Sequence, residues 1–217
     1  MCFHNTRLFA WLLDLAMRNR DLVPYRERAI AAARGRVLEI GVGSGLNLPL
    51  YRRDVARVYG IDPSAALLEI AKTCTKNTAG TVLVRASAEN LPFKDKTFDI
   101  VVTTFTLCTI PNALKALVEM RRVLNSSGRL IFAEHGQAPD WSVARWQNWL
   151  TPCWRRLSGG CHLNRSIDEL IRAAGFQIDE IRTGYLRGAN PFAYMYEGTA
   201  VLSDGGRGES VTQFNRN

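Results

Sequence analysis

The chain has 217 residues, 47% of them hydrophobic, and it carries a formal net charge of +8 at pH 7. This length and composition fit one large globular domain more readily than two small ones, and they exclude a low-complexity chain. The basic excess is typical of a solvated surface, and it also suits contact with membrane headgroups, nucleic acid or an acidic ligand. No recognisable nucleic-acid-binding module accompanies the scattered arginines, so no nucleic-acid partner is expected.

Cysteine usage indicates a reducing compartment. The five cysteines are irregularly spaced, with neither a Cys-x-x-Cys pair nor a Cys/His pattern typical of metal ligands, so reduced thiols and no metal site are expected. The apolar stretch at residues 8–17 is too short to span a bilayer and has no small-residue cleavage site. We therefore expect a cytoplasmic protein, and a peripheral contact with the inner face of the membrane stays open.

The first half of the chain predicts helices followed by a strand–helix alternation. Residues 6–33 predict two helices broken near Pro24, the first with an apolar stripe that includes Leu8 and Trp11. Strands are predicted at 36–41, 55–61, 81–86, 98–104 and 129–135, and helices at 46–53, 64–77 and 112–124. A turn at 126–128 is expected to end the third of these helices. This order predicts βαβ units and a parallel sheet.

The second half departs from that alternation. A tryptophan-rich helix over 141–157, interrupted at Pro152, is followed by a glycine-initiated loop at 159–165. A helix at 166–174 and strands at 176–182 and 192–202 complete the sheet. The chain thus divides into an N-terminal helical lid (1–35), an α/β domain (36–202) and a disordered tail (203–217).

A glycine-rich turn and a downstream carboxylate predict a nucleotide-type cofactor site. The run Val37-Leu-Glu-Ile-Gly-Val-Gly-Ser-Gly45 follows a buried strand, and Asp62 ends the next apolar run. The glycines let a ligand approach the backbone, and the carboxylate can accept hydrogen bonds from ribose hydroxyls. The spacing is tighter than that of a dinucleotide fingerprint. A third element, Ala86-Ser-Ala-Glu-Asn-Leu-Pro-Phe93, either contacts an adenine edge or is a capped loop with Glu89 in solvent.

These motifs, in this order, resemble those of class I S-adenosylmethionine-dependent methyltransferases. The resemblance covers about residues 36–135 and includes Gly60-Ile-Asp-Pro-Ser and Met120-Arg-Arg-Val-Leu-Asn-Ser-Ser-Gly-Arg-Leu. It implies a Rossmann-like α/β fold, with a mostly parallel seven-stranded sheet and helices on both faces, and it implies S-adenosylmethionine as cofactor. The residues that the resemblance assigns to cofactor binding are Glu39, Gly41, Gly43, Gly45, Asn47, Asp62, Pro63, Ser87, Ala88, Glu89, Thr104 and Thr106.

The C-terminal half has a narrower resemblance. Phe132-Ala-Glu-His135, the tryptophan run from Trp146 to Trp154, and Gly160-Cys-His-Leu-Asn-Arg165 are similar to the methyltransferase-like seven group of thiol methyltransferases. Bacterial relatives of that group are often labelled phospholipid N-methyltransferases. The resemblance implies a small-molecule acceptor, with a thiol sulfur first and a phospholipid or other small amine as the alternative.

Methyl transfer from a sulfonium needs in-line alignment and exclusion of water, and a thiol acceptor must also lose a proton. His135, His162 and Glu134 are therefore the candidate catalytic residues, although each also has an ordinary structural interpretation. Tryptophans of the 141–157 helix are expected either to pack in the core or to form an aromatic wall for the acceptor. The residues expected to line the acceptor pocket are Cys108, Trp146, Trp149, Cys161, Asn164 and Tyr194.

Overall fold

A computed structural model describes residues 6–75, 80–186 and 193–203. Its centre is a seven-stranded sheet in the order β3-β2-β1-β4-β5-β7-β6, in which β7 runs antiparallel to both of its neighbours. The mostly parallel sheet predicted from the sequence is thereby confirmed. The strands are β1 (Gly35–Ile40), β2 (Val55–Asp62), β3 (Thr81–Arg85), β4 (Phe98–Thr104), β5 (Leu124–Gly136), β6 (Phe176–Tyr185) and β7 (Tyr194–Leu202).

Helices cover both faces of the sheet because the central strands are apolar on both sides. On one face Leu38 and its neighbours pack with α4 (Ala113–Val123) and α6 (Ile167–Ala173), and on the other face Val37 packs with α2 (Val23–Ala31) and α3 (Ala65–Thr75). Together these two clusters form the core. The helices are α1 (Arg7–Met17), α2 (Val23–Ala31), α3 (Ala65–Thr75), α4 (Ala113–Val123), α5 (Trp141–Leu157) and α6 (Ile167–Ala173). Among the described residues, none of these helices is long and apolar enough to cross a membrane.

The strand register brings three loops to one edge of the sheet. Ile40 lies beside Ile61 of β2 on one side and beside Thr103 of β4 on the other. The segments that follow β1, β2 and β4 therefore begin side by side at the carboxyl ends of parallel strands. This edge is where α/β sheets bind ligands.

Three local predictions were wrong. Residues 46–53 contain only a short 3-10 turn, Leu48–Leu50, which ends where the backbone of Tyr51 becomes extended. Helix α5 runs continuously through Pro152. Helix α4 ends at Val123, so residues 126–128 lie within β5, as part of a register irregularity opposite β4. By contrast, the predicted break near Pro24 between the two N-terminal helices is confirmed: it covers residues 18–22, and Pro24 lies in the first turn of α2, where its missing donor costs nothing.

The C-terminal boundary differs slightly from the prediction. Ser203 is tied to the sheet end, because its amide and its hydroxyl both donate to the carbonyl of Gly175, at 3.1 and 2.7 Å. The rest of the predicted tail, residues 204–217, lies outside the described residues, as do parts of the elements predicted at 64–77 and 192–202.

Candidate active site

A cavity of about 360 Å³ opens at the carboxyl edge of β1, β2 and β4. Its size is in the range of small-molecule sites. Ten of the twelve residues predicted to hold the cofactor line it: Glu39, Gly41, Gly43, Asn47, Asp62, Pro63, Ser87, Ala88, Thr104 and Thr106. Gly45 and Glu89 do not. The structure therefore brings nearly all of the predicted cofactor residues together around one space.

The glycine turn forms the floor of the cavity. Gly41 and Gly43 have φ values of +66° and +56°, a conformation that side chains rarely adopt. A Cβ at Gly43 would have only the carbonyl oxygen of Gly41 near it, at 3.8 Å, so the turn is open towards the cavity. Gly45 has a different role, since a Cβ there would meet Leu48 and Ala71 at 3.0–3.1 Å. Gly45 lets the turn pack against α3.

Asp62 lies at the end of β2 and presents a buried carboxylate to the cavity. One of its oxygens accepts from the amide of Gly43 at 3.1 Å, and the other accepts from the amide of Ser64 at 2.8 Å. Burial raises its pKa, and these two bonds oppose that effect. Each oxygen keeps acceptor capacity beyond its one amide bond. The carboxylate is thus fixed in place and can still accept hydrogen bonds from a ligand.

Glu39 lies beneath the turn, where its carboxylate is bonded to other side chains of the protein. Its carboxylate is 1% exposed and accepts from the Nδ2 of Asn47 at 2.8 Å and from the hydroxyl of Tyr51 at 3.0 Å. Burial raises the pKa of Glu39 to about 7, against the opposing effects of those two bonds and of Arg26. The same Asn47 amide nitrogen also donates to the hydroxyl of Thr104 at 2.9 Å.

Arg26, on α2, is the main site residue that the sequence analysis missed. Its side chain is buried, lines the cavity, donates to Oδ1 of Asn47 at 2.9 Å and lies over the ring of Phe105 at 4.9 Å. Burial lowers the pKa of this guanidinium, and Glu39 opposes that shift. No motif surrounds Arg26 in the sequence, and an arginine in a short helix normally lies in solvent. Only the packing of α2 on the sheet reveals it.

Helix α1 covers the same cavity. Phe9, Leu13 and Met17 line it, and the helix contacts α3. The apolar stripe found in the sequence lies on the side away from the cavity, with Leu8 and Trp11 more than half exposed.

Only part of the loop predicted to contact adenine faces the cavity. Ser87 and Ala88 line the cavity, but the Glu89 carboxylate turns away and accepts from the amide of Asn112 at 2.6 Å, at the start of α4. The hydroxyl of Ser87 accepts from the amide of Glu89 at 3.2 Å. In this arrangement Glu89 supports the loop, and Ser87 and Ala88 are the groups that face the cavity.

Glu134 fixes the loop that follows β4. Its fully buried carboxylate accepts from the hydroxyl of Thr103 at 2.6 Å and from the amides of Thr106 and Leu107 at 2.8 and 3.0 Å. Burial raises its pKa to about 7 in spite of these bonds. Glu134 does not line the cavity, so its geometry suits a positioning residue for Thr106 better than a group that touches an acceptor.

His162 and Arg165 attach the loop after α5 to the same segment. The amide of His162 donates to the carbonyl of Cys108 at 2.8 Å, and its ring Nδ1 lies 3.1 Å from that oxygen. Arg165 donates to the carbonyls of Leu107, Ile110 and Pro111. Burial lowers the pKa of His162, which favours a neutral ring with Nδ1–H towards the carbonyl and Nε2 free to accept.

Three candidate residues meet behind the cavity wall. The ring Nδ1 of His135, at the end of β5, is 3.8 Å from Sγ of Cys161, and Sγ of Cys108 belongs to the same cluster. The hydrogen bond between the two thiols raises the pKa of Cys108 and lowers that of Cys161. The sequence analysis singled out these residues separately and did not predict that they meet, because they lie on three separate elements.

Two other predicted pocket residues lie outside the cavity lining. Tyr194 packs edge-on against Tyr185 and Tyr196, with ring centroids 5.1 and 5.4 Å away. Asn164 donates to the side-chain oxygen of Asn148 at 2.8 Å and so links the loop to α5. Both contacts are those of structural side chains.

The tryptophans of α5 contradict both expectations for that helix. Trp146 and Trp149 are 54% and 72% exposed, form an edge-on pair 5.5 Å apart, and do not line the cavity. The buried face of α5 is instead polar, since Gln147 accepts from the amide of Ala138 at 2.9 Å and donates to the carbonyl of Gly136 at 3.1 Å. The prediction failed because hydrogen bonding, and not apolarity, turns this helix towards the sheet.

The chain is similar to known methyltransferases. The family described as "Methyltransferase domain" matches residues 38–132. Human thiol S-methyltransferase TMT1A is 31% identical over 170 residues, which cover 75% of this chain and 69% of TMT1A. A phosphatidylethanolamine N-methyltransferase of Cereibacter sphaeroides is 38% identical over 109 residues, which cover 49% and 53% of the two chains. The chain spans 53–64% of the length of several curated relatives that it matches, and 69% of TMT1A.

Solved structures agree with the fold. An S-adenosylmethionine-dependent methyltransferase from Thermotoga maritima matches with a TM-score of 0.66 and 23% identity, and the match covers 93% of this chain and 100% of that one. Together with the strand order, the glycine turn and the carboxylate after β2, these findings define the class. The chain belongs to the class I S-adenosylmethionine-dependent methyltransferases.

The cavity fits that cofactor by its own donor set. A ribose needs acceptors such as the Asp62 carboxylate, and an amino-acid carboxylate needs a cation such as Arg26. Both side chains line the cavity, and the open face of the Gly43 turn leaves space between them for the ligand.

Proposed function

We propose that this chain transfers the methyl group of S-adenosylmethionine to the sulfur of a small thiol. The observation that carries the proposal is the cavity itself, which has a carboxylate, a guanidinium and an open glycine turn on its walls. The choice of sulfur rests on the relatives named as thiol S-methyltransferases. When bound, the cofactor supplies a methyl group activated by a sulfonium.

The residues of this chain would bind and orient the donor. Asp62 accepts from the ribose hydroxyls, Arg26 pairs with the amino-acid carboxylate, and Ala88 contacts the base. Phe9 and Leu13 of α1 close the cavity and exclude water, which strengthens both polar contacts. Such positioning supplies most of the catalysis that methyl transfer requires.

A thiol acceptor must also be deprotonated, and we assign that role to a histidine. His162 is a neutral base with Nε2 free, while His135 lies near the carboxyl end of β5, at the ligand-binding edge. Glu134 acts through the backbone it holds and not on the acceptor. His162 and His135 are thus the two candidates, and their variants separate them.

The test is a competition among acceptors. The purified chain is supplied with S-adenosylmethionine carrying a labelled methyl group, and small thiols, small amines and phosphatidylethanolamine vesicles are offered separately and together. The proposal predicts labelled thioether and an equal amount of S-adenosylhomocysteine, formed fastest with thiols. Turnover with amines but with no thiol would refute the choice of sulfur.

N-methylation of a phospholipid is the second candidate, because one observation favours it. The outward face of α1 exposes Leu8, Trp11 and Leu15, a pattern suited to a lipid surface. The Cereibacter relative is named for that reaction. This candidate predicts that the chain methylates phosphatidylethanolamine in vesicles and that the Leu8→Ser/Leu15→Ser variant loses this activity. Equal activity of the variant and the parent chain would remove the candidate.

A further inference from the structure

We propose that Cys108, His135 and Cys161 form a binding site for a thiophilic metal ion, Zn²⁺. The two sulfur atoms and a ring nitrogen of His135 all lie within 4.8 Å of one another. They come from the loop after β4, the end of β5 and the loop after α5. The proposal does not depend on which acceptor the enzyme methylates. A His135 that binds Zn²⁺ through Nδ1 carries its proton on Nε2 and cannot be the base, which leaves His162 in that role.

The spacing is close to that of a zinc site. Zinc binds thiolate sulfur at about 2.3 Å and imidazole nitrogen at about 2.0–2.1 Å, so neighbouring ligands of a tetrahedral ion are roughly 3.5–3.8 Å apart. The Nδ1 of His135 is 3.8 Å from the Sγ of Cys161. Shifts of about 1 Å or less in the remaining distances complete the geometry.

Backbone hydrogen bonds and strand pairing hold the three ligands in place, and these contacts leave the metal-binding atoms available. His162 ties its own loop to the backbone of Cys108 through its amide and its ring. Arg165 holds the carbonyls on either side of Cys108. His135 is fixed by the pairing of β5 with β7, opposite Met195. A site prepared in this way loses little conformational freedom when an ion binds.

The chemistry of the ligands selects the type of ion. Two thiols and an imidazole suit zinc and other soft ions and do not suit Mg²⁺ or Ca²⁺, which prefer oxygen. Two thiolates would also neutralise the charge of a divalent cation beside the buried Cys108. Within the described part of the chain no fourth side chain joins the cluster, so one coordination position stays open, as in catalytic zinc sites.

Zinc binding by the full chain tests the proposal directly. The reduced protein is stripped with a chelator and titrated with Zn²⁺ against a chromogenic competitor. We expect one equivalent to bind, and Cys108→Ser, Cys161→Ser and His135→Gln each to weaken binding by at least about tenfold. Cys153→Ser is the matched control, since Cys153 is exposed and outside the cluster, and it should bind like the parent chain.

A second measurement covers variants that fail to fold. In the unmutated chain, Zn²⁺ should protect Cys108 and Cys161 from alkylation, as read by mass spectrometry, while Cys153 stays reactive. Absence of a stoichiometric ion would overturn the proposal. So would equal zinc binding by the Cys108→Ser and parent chains, or a disulfide between Cys108 and Cys161 in the protein purified without reductant.

Discussion

Arg26 and Asn47 are joined by a buried hydrogen bond of 2.9 Å, from a guanidinium nitrogen to the side-chain oxygen of the amide. The two residues are 21 positions apart, on α2 and in the loop after β1. The nitrogen of the same amide donates to Glu39 and Thr104. The asparagine therefore connects the N-terminal helices to β1 and β4, and it holds a cation at the wall of the cavity.

Arg26→Met should lower the affinity for S-adenosylhomocysteine by about 1.5–3 kcal/mol, the range for a hydrogen bond to a charged group. Isothermal titration calorimetry measures this loss. Affinity for 5′-methylthioadenosine, which has no amino-acid carboxylate, should hardly change. Arg28→Met is the control from the same helix, because Arg28 is exposed and pairs with Glu197. If Arg26→Met lowered the affinity for both ligands equally, Arg26 would act only by supporting the fold.

Asp62→Ala should reduce cofactor affinity by about 1–3 kcal/mol, since hydrogen bonds to its carboxylate are lost. Asp62→Asn keeps the shape of the side chain and one acceptor oxygen, so it should lose part of this affinity together with one of the two amide hydrogen bonds that hold the turn. Asp54→Asn, at an exposed ion pair with Arg52, is the matched control. Unchanged binding by both Asp62 variants would remove Asp62 from its proposed role.

Glu39 should make the stability of the protein depend on pH. Its pKa is about 7 in the folded chain, above its ordinary value of 4.5, so the folded state binds more protons between these values. The free energy of unfolding should therefore fall as pH rises from about 4.5 to 7, by roughly 3 kcal/mol at most.

Denaturant unfolding at several pH values measures this effect. Arg26 and Tyr51 are the ionisable groups that interact with Glu39. Glu39→Gln should remove about half of the pH dependence in that window, because burial raises the pKa of Glu134 to about 7 as well. Equal slopes for the parent and variant chains would show that the carboxylate is ionised throughout, with Arg26 as its counter-ion.

His135→Ala should lower turnover and leave cofactor affinity within about twofold of the parent, because the ring does not line the cofactor cavity. His162→Gln, measured in parallel, tests the other candidate base. The variant that lacks the base for the acceptor should lose more turnover at low pH, and it should lose less turnover with acceptors that are already thiolates. If neither variant changes the rate, no protein base is needed.

The sequence predicted the parts of the protein that depend on local chemistry. The glycine turn and Asp62 were found because positive φ and a strand-end carboxylate have sequence signatures. Arg26 and the Cys108–Cys161 cluster were not found, since their proximity arises from helix packing and strand register. The tryptophans of α5 were misjudged because apolar periodicity does not reveal a helix whose buried side is held by Gln147.

The central claim is that this cavity holds S-adenosylmethionine between Asp62 and Arg26. A crystal structure with S-adenosylhomocysteine bound tests it most directly. The account predicts ribose hydroxyls within hydrogen-bond distance of Asp62 and the amino-acid carboxylate on Arg26, with α1 closed over the ligand. A ligand bound elsewhere, or one turned so that its carboxylate faces away from Arg26, would contradict it.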